Sequence, residues 1–569
     1  MQEIEKRNKE LLEEIEKLKR QNKTLKSRKK YGLVWENEKE PEQIVLDCQT
    51  KIPILKEVKN KEIITDKDKP QNILIEGDNY HSLSVLNYTH RGQIDVIYID
   101  PPYNTGNAKE WKYNDKWIDE NDTYKHSKWL NFMSIRLNLA KNLLKSQGVI
   151  FISIDEHEFA QLKILCNEIF GEENFIGNII WRKKEGGGQA DDYFAREHEY
   201  IVVYSKSDKF KWLDEIIPVE EAEYNKEDKD GKFTAVKLAK WGNTARKEDR
   251  EKMHFPIKAP DGKNVIPYAP DGNLGRWRVG KKRMDELINK DLVHWQKKDN
   301  KWIPYEKVYF TEGDVKKIKE RSILYEIGTT AEGTNELKGI FLVKDVFQNP
   351  KPTELIKFFL KFGADDKAVV LDFFAGSGTT GHSVLKLNQE DGGKRKFILC
   401  TNNEDNNGNG LRIATDICYP RIKKVIEGYK NIKSEKVEGL SGNLRYFKTE
   451  LLDVEHISHV SDEQKIKLTY QAGEMIALRE NAFEEVEKDE WWQIFKDGTK
   501  YTAIYFKEDK SKLNELIKKL GKLKEKVTLY IFSWGKNEYK NEFTDYKNIR
   551  VEDIPEPIID VYKEVNRLG

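Results

Sequence analysis

Asp100, Pro101, Pro102 and Tyr103 follow an apolar run, Ile94–Ile99, and bring three chemical capacities into four positions. Asp100 supplies a carboxylate acceptor. The two prolines fix the backbone and remove its donors, so the Pro101 carbonyl can act as a second acceptor while Tyr103 offers a flat ring. Two acceptors and a stacking ring suit an aromatic amine. The exocyclic amine of adenine is a poor nucleophile because its lone pair is delocalised into the ring, and acceptors on its hydrogens favour the pyramidal, reactive form. Inside a duplex that amine is stacked, so the reading requires a flipped base with Tyr103 against it. The same four residues also suit a Pro-rich turn that closes a strand.

A second apolar run, beginning at Val369, leads through Asp372, Phe373 and Phe374 into Ala375-Gly376-Ser377-Gly378-Thr379-Thr380 and then a helical pattern. Gly376 and Gly378 would let a ligand approach the backbone closely. Free amides at the helix start suit a carboxylate such as the methionyl end of a cofactor. Asp372 is expected to meet the cofactor's amino group or sugar. No GxxxxGK[ST] loop occurs and the GxGxxG spacing is incomplete, so this is neither a phosphate loop nor a dinucleotide fingerprint. Glu404, beyond the strand Lys396–Cys400, could hold ribose hydroxyls, and Asp78, beyond Asn72–Glu76, could meet the cofactor adenine. Each has a plainer reading: Glu404 as a solvated loop acid, Asp78 as a helix cap.

Alternating strands and helices must position these groups. From Gln71 the pattern gives strands Asn72–Glu76 and Ile94–Ile99, an amphipathic helix Trp129–Leu144 and a strand Val149–Ile154. Ile179–Arg182 and Tyr200–Tyr204 read as a hairpin pair. The pattern then dissolves from about Lys206 to Gly339 and resumes with helix Glu354–Phe362, strand Ala368–Phe373, helix Thr379–Leu387 and strand Lys396–Cys400, as two halves of one sheet. Past about Glu450 come a helix at Asp462–Arg479, strand Tyr501–Phe506, helix Lys510–Leu523 and strand Val527–Phe532, a small βαβ-like unit. At the start, Ile4, Leu11, Leu18 and Leu25 recur every seven residues with Met1, Asn8, Ile15 and Asn22 in the complementary positions. That is a coiled-coil pattern whose asparagines favour a two-stranded homodimer, although a single charged surface helix fits it equally.

Composition bounds the remaining classes. A chain of 569 residues exceeds one core and implies roughly three or four compact units. With 99 Lys+Arg against 98 Asp+Glu the net charge is +1, so attraction to nucleic acid must come from local patches. Such a patch is legible in the interruption, where Lys237, Lys240, Trp241, Arg246, Arg250, Arg276, Trp277, Arg278, Lys281, Lys282 and Arg283 mix basic groups with aromatics. A merely solvated charged face would read the same way. Cys48, Cys166, Cys400 and Cys418 have neither disulfide-framework nor zinc-ligand spacing, so no metal is expected and a reducing cytoplasm is. The charged N-terminus is unlike a signal sequence and apolar runs such as Gly148–Ile154 are too short to cross a bilayer, so no membrane is expected.

Taken together, the blocks resemble the β class of amino-methyltransferases, in which the DPPY half precedes the FxGxG half, and most closely the modification subunit of Type III restriction-modification systems. The blocks are YGLVWE at Tyr31–Glu36, ILIEGDN at Ile73–Asn79, DPPYNTGN at Asp100–Asn107, GVIFISID at Gly148–Asp155, FGEENFI at Phe170–Ile176, NPKP at Asn349–Pro352, DFFAGSGTTGHSVLKLN at Asp372–Asn388 and NLRYFKTE at Asn443–Glu450. The resemblance implies an α/β fold, a circularly permuted class I methyltransferase with a Rossmann-like, mostly parallel seven-stranded sheet. In it the Gly-loop strand and the DPPY strand lie side by side at a topological switch point. It implies S-adenosyl-L-methionine as cofactor, with Lys351 and Pro352 bordering it and Phe374 near its adenine. It also implies a double-stranded DNA substrate and a separate ATP-dependent restriction subunit docking on a dimer. The corresponding domains are a coiled coil (1–30), a catalytic half (31–205), a target-recognition region (206–339), a cofactor half (340–449) and a C-terminal α/β domain (450–569). Two other functions suit the same residues: methylation of the cytosine N4 amine, and DNA recognition without catalysis.

Overall fold

The computed structural model describes residues 42–568, apart from 108–110, 115, 119, 187–192, 194, 344, 406, 407, 536, 537, 540–542 and 544. The N-terminal heptads and the YGLVWE block therefore lie outside the described residues.

Val- and Ile-rich runs form one large sheet: β1 (Lys51–Glu57), β2 (Ile63–Ile64), β3 (Gln71–Glu76), β4 (Ile94–Ile99), β5 (Leu144–Ile154), β6 (Phe175–Arg182), β7 (His198–Ser205), β8 (Ile323–Leu324), β9 (Val369–Asp372), β10 (Lys396–Thr401) and β11 (Asn443–Asp453). The order is β1-β11-β3-β10-β9-β4-β5-β7-β6-β8, with β2 paired to β11. The central strands β11, β3, β10, β9, β4 and β5 run parallel. β7 is antiparallel to both β5 and β6, the hairpin relationship expected from sequence. The sheet has eleven strands where seven were expected. Short edge strands from segments that carry no motif, β1, β2 and β8 among them, extend it at both sides.

The central strands are buried on both faces, which is why they read as continuous apolar runs. Helices α1 (Asn79–Thr89), α2 (Lys125–Leu143), α3 (Thr353–Gly363), α4 (Thr379–Asp391) and α5 (Tyr419–Glu427) belong to the same unit. β9 pairs with β4 through Val370↔Val96 and Leu371↔Ile97. Asp95 Oδ2 accepts from the Val369 amide at 2.8 Å, across 274 sequence positions. The Gly-loop strand and the DPPY strand are thus neighbours, as expected.

Residues 214–320 form a second compact unit. It contains a four-stranded antiparallel sheet of Lys226–Asp228, Gly231–Lys237, Lys301–Tyr309 and Val293–Lys298, with helix Lys281–Asn289. Its core is Leu238, Trp277, Met284, Leu287 and Val293. Two residues of the expected basic and aromatic face are therefore interior. Trp277 is fully buried and donates to the Phe255 carbonyl at 2.8 Å, while buried Arg276 donates to the Thr244 carbonyl at 2.6 Å. Arg246, Arg278 and Lys281 pair with Asp271, Glu306 and Asp285. Trp241 stays exposed, with Lys237 4.6 Å from its ring centroid.

The C-terminal βαβ reading holds. Lys500–Tyr505 and Lys526–Phe532 pair in parallel around helix Leu513–Gly521, inside a five-stranded sheet. The expected single helix Asp462–Arg479 is instead two, Asp462–Gln471 and Gly473–Glu480. Gly473 makes the junction close: a Cβ there would lie 2.2 Å from Gln493 Oε1. The last helix, Glu556–Leu568, docks onto the main sheet domain, with the Tyr562 hydroxyl donating to the Pro53 carbonyl at 2.5 Å.

Candidate active site

β4 and β9 end side by side, and a cavity of about 690 Å³ opens at their carboxyl ends. Its wall includes Asp78, Asp100, Pro101, Pro102, Lys351, Asp372, Phe374, Ala375, Gly376, Ser377, Thr379, Thr380 and Glu404. Tyr103, Pro352 and Gly378 are not among its lining residues. Open parallel sheets bind ligands at such strand ends.

The loop after β9 is built around Asp372. Its Oδ1 accepts from the Phe374 amide at 3.0 Å and its Oδ2 from the Thr380 hydroxyl at 2.5 Å, so one carboxylate ties both ends of the turn. Burial pushes this carboxyl up to about 7. Gly376 has φ +48°, and a Cβ there would approach the Phe347 ring to 2.9 Å. Gly378 has φ +81° and begins α4, but its missing side chain faces Cys418 Sγ, so it serves helix packing rather than ligand approach. Arg421, fully buried on α5, braces the turn from behind. It donates to Ser377 Oγ at 3.0 Å and Thr379 Oγ1 at 2.8 Å. Burial lowers its guanidinium to about 10. Phe374 packs on Phe132, at 5.9 Å between centroids, and Phe132 on Trp111 at 5.4 Å, forming an aromatic wall.

Asp78 caps α1, accepting from the Tyr80 amide at 2.6 Å, and also lines the cavity. The capping reading is thereby met. Glu404 is half-exposed and lies 3.8 Å from Lys112. Pro352 is the residue at which α3 begins.

The DPPY turn is anchored by the Trp129 indole, which donates to the Pro102 carbonyl at 2.7 Å. Asp100 is held by two polar groups. Its Oδ1 accepts from the Tyr103 hydroxyl at 2.8 Å, and its Oδ2 lies 3.0 Å from the Lys351 ammonium. Lys351, expected to border a cofactor, lines the cavity and directs its charge at Asp100 and at Glu199 Oε2, 3.2 Å away, with the Tyr103 oxygen 2.9 Å off. Tyr103 was expected to offer a ring face; its hydroxyl holds Asp100. Glu199 at the start of β7 also reaches the Tyr103 hydroxyl at 3.0 Å and Lys183 at 3.1 Å. Burial raises the Asp100 carboxyl, partly offset by Lys351, whereas for Glu199 the two lysines outweigh burial and the carboxyl falls below its usual range. Lys351 is held above its ordinary value because the two carboxylates outweigh its burial.

Sequence reading missed Glu199, Arg421 and His81. Glu199 leaves a signal as an acid at the edge of an apolar strand, and Arg421 as a cation spaced four residues from both Ile417 and Val425 on a helix. His81 also lines the cavity; its buried Nε2 has no hydrogen-bond partner among the described residues, and burial lowers its pKa. Among the described residues no group of three or more His, Cys, Asp and Glu is arranged to hold a metal.

A glycine turn and the Asp100 carboxylate thus meet in one cavity at adjacent strand ends of an α/β sheet. Residues 94–407 match the DNA methylase family, and the chain belongs to that family. It is 33% identical over 405 residues to the StyLTI Mod subunit, a Type III restriction-modification enzyme of Salmonella typhimurium (65% of this chain, 59% of that one). It is 35% identical over 408 residues to the EcoPI Mod subunit of Escherichia phage P1 (63% and 62%). The chain thus spans about three fifths of these relatives' length. The Type II methyltransferase M.KpnI of Klebsiella pneumoniae is 33% identical over 404 residues (67% and 93%). Among solved structures, the cytosine-N4-specific PvuII DNA methyltransferase is similar at 11% identity and a TM-score of 0.30, over 66% of this chain and 98% of that one.

Proposed function

We propose that this chain is the modification subunit of a Type III restriction-modification system, methylating the N6 amine of adenine within a specific sequence of double-stranded DNA. The observation that carries the reading is the cavity shared by Asp100 and the Asp372–Thr380 turn on neighbouring strands. The circularly permuted class I arrangement is part of the proposal, since the cofactor half follows the catalytic half in sequence.

The cavity fits S-adenosylmethionine on its own chemistry. It offers a glycine turn that a side chain would fill, an orphan imidazole nitrogen, a wall of aromatic rings, and carboxylates for a cationic ligand. Asp372, the Phe374–Thr380 turn, Asp78, Glu404, Lys351 and Pro352 are the residues we assign to that side. Bound there, the cofactor would supply a sulfonium methyl group. Asp100 accepts a hydrogen bond from the target amine and the Pro101 carbonyl a second, which keeps the amine lone pair directed at its electrophile. Pro102, fixed by Trp129, sets the turn, and Tyr103 orients Asp100. The target base is flipped from the duplex into this pocket.

Residues 206–339 are assigned to target recognition and the N-terminal heptads to a homodimer, on which a separate ATP-dependent restriction subunit docks. The system operates in the prokaryotic cytoplasm. Long-read sequencing of DNA from cells expressing only this chain tests the reading. N6-methyladenine in one fixed sequence is expected. N4-methylcytosine would transfer the same chemistry to cytosine, and unmodified DNA would leave a recognition subunit without catalysis.

A further inference from the structure

We infer that Glu199, with Lys351, is a positioning residue for the target amine: it holds the Lys351 ammonium against one oxygen of Asp100, while the Tyr103 hydroxyl, with its one proton, serves the other. This rests on the amino-methyltransferase reading above but concerns residues outside both sequence motifs. Glu199 comes from β7, a strand with no residue in the cavity wall, and reaches the site only through Lys351 and Tyr103.

The argument is geometric. Lys351 is 8% exposed and lies between two carboxylates, 3.0 Å from Asp100 and 3.2 Å from Glu199. A buried ammonium with one counter-ion would bind that ion as a closed pair; with two, its charge is shared. Glu199 is itself fully engaged, with Lys183 on one oxygen and Tyr103 and Lys351 on the other. The cluster Asp100, Glu199, Lys351 and Lys183 is neutral overall, so Asp100 can remain a carboxylate, and hence an acceptor, beside an apolar base. The Tyr98 and Asp372 side chains are the other titratable groups acting on this cluster, and both line the same cavity.

The two partners act on Asp100 with opposite sign. Lys351 favours its ionised form, and the Glu199 charge opposes it. Glu199→Gln should therefore move the ionisation midpoint of Asp100 down, and Lys351→Met should move it up, by on the order of one to three pH units each. The midpoint is read in the ligand-free full chain as the carboxylic-acid infrared band that disappears in Asp100→Asn, followed against pH. Lys351→Arg keeps the cation and should leave the midpoint near the parent's. Glu199→Asp keeps the anion and should restore the midpoint while still slowing methyl transfer in single turnover. These two variants carry the test if either of the first pair fails to fold. Midpoints that move together, or not at all, overturn the inference even if the chain methylates DNA. Opposed shifts in a chain that transfers no methyl group would uphold the positioning and remove the functional reading instead.

Discussion

The Lys351 ammonium lies 3.0 Å from Asp100 Oδ2 although 251 sequence positions separate the two residues. The NPKP block and the DPPY block therefore form one site, and Lys351 keeps a second anion, Glu199, when Asp100 is removed. Asp100→Ala is expected to reduce methyl transfer by about 10²-fold or more, the usual cost of deleting a group that acts on the reacting atoms. Cofactor affinity should be unchanged by calorimetry. Equal single-turnover rates for variant and parent would sink the assignment of Asp100.

Gly376→Val should weaken cofactor binding. A side chain there meets the Phe347 ring at 2.9 Å, and the positive φ of +48° strains any L-residue with a branched Cβ. Strain of about 1–3 kcal/mol corresponds to a loss of roughly five- to 150-fold in affinity if it falls on the bound form. Calorimetry with S-adenosylmethionine that returns the parent's affinity would count against the turn as the cofactor cradle.

Asp372 makes binding and stability depend on pH in opposite senses. Its carboxyl is pushed up to about 7 by burial. A cationic cofactor amine favours the ionised form, so cofactor affinity should be full above about 7 and fall as the pH drops through it. Without ligand, the folded chain keeps the proton up to about 7, whereas the unfolded chain loses it near the usual value of about 4. Stability therefore declines as the pH rises through that window. Asp372→Asn should flatten both dependences. Parallel slopes for parent and variant in denaturation series between these limits would contradict the shift.

Removal of Met1–Lys30 should lower the subunit number without destroying the α/β domain, because the heptads precede every described strand. Light scattering on the two chains decides the matter. An unchanged mass would make the segment a surface helix or a dock for another partner.

The purified chain should methylate unmodified plasmid in the presence of magnesium, ATP and cofactor but leave it uncut. No GxxxxGK[ST] phosphate cradle occurs in the sequence given, and the proposed function places ATP-driven translocation on a separate subunit. Site-specific double-strand breaks from this chain alone would overturn that division of labour.

The turn chemistry was legible because it is local. Apolar runs ending in Asp-Pro-Pro-Tyr or in a glycine pair announce a strand and the group at its end, and both groups line the same cavity. Periodicity could not distinguish a buried cation from an exposed one. Arg276 and Trp277 read as a binding face yet build a core, and Arg421 went unnoticed because its neighbours in sequence say nothing of Ser377 or Thr379.

By itself the sequence determined which residues could do chemistry and which strands would carry them, since φ restrictions, hydrophobic runs and cap residues act over a few positions. The family resemblance implied that β9 lies against β4; only the tertiary structure decided that Lys351 answers Asp100 and that Glu199 completes the cluster. A charge leaving water must find an opposite charge, and which one it finds depends on how distant strands stack rather than on their spacing along the chain.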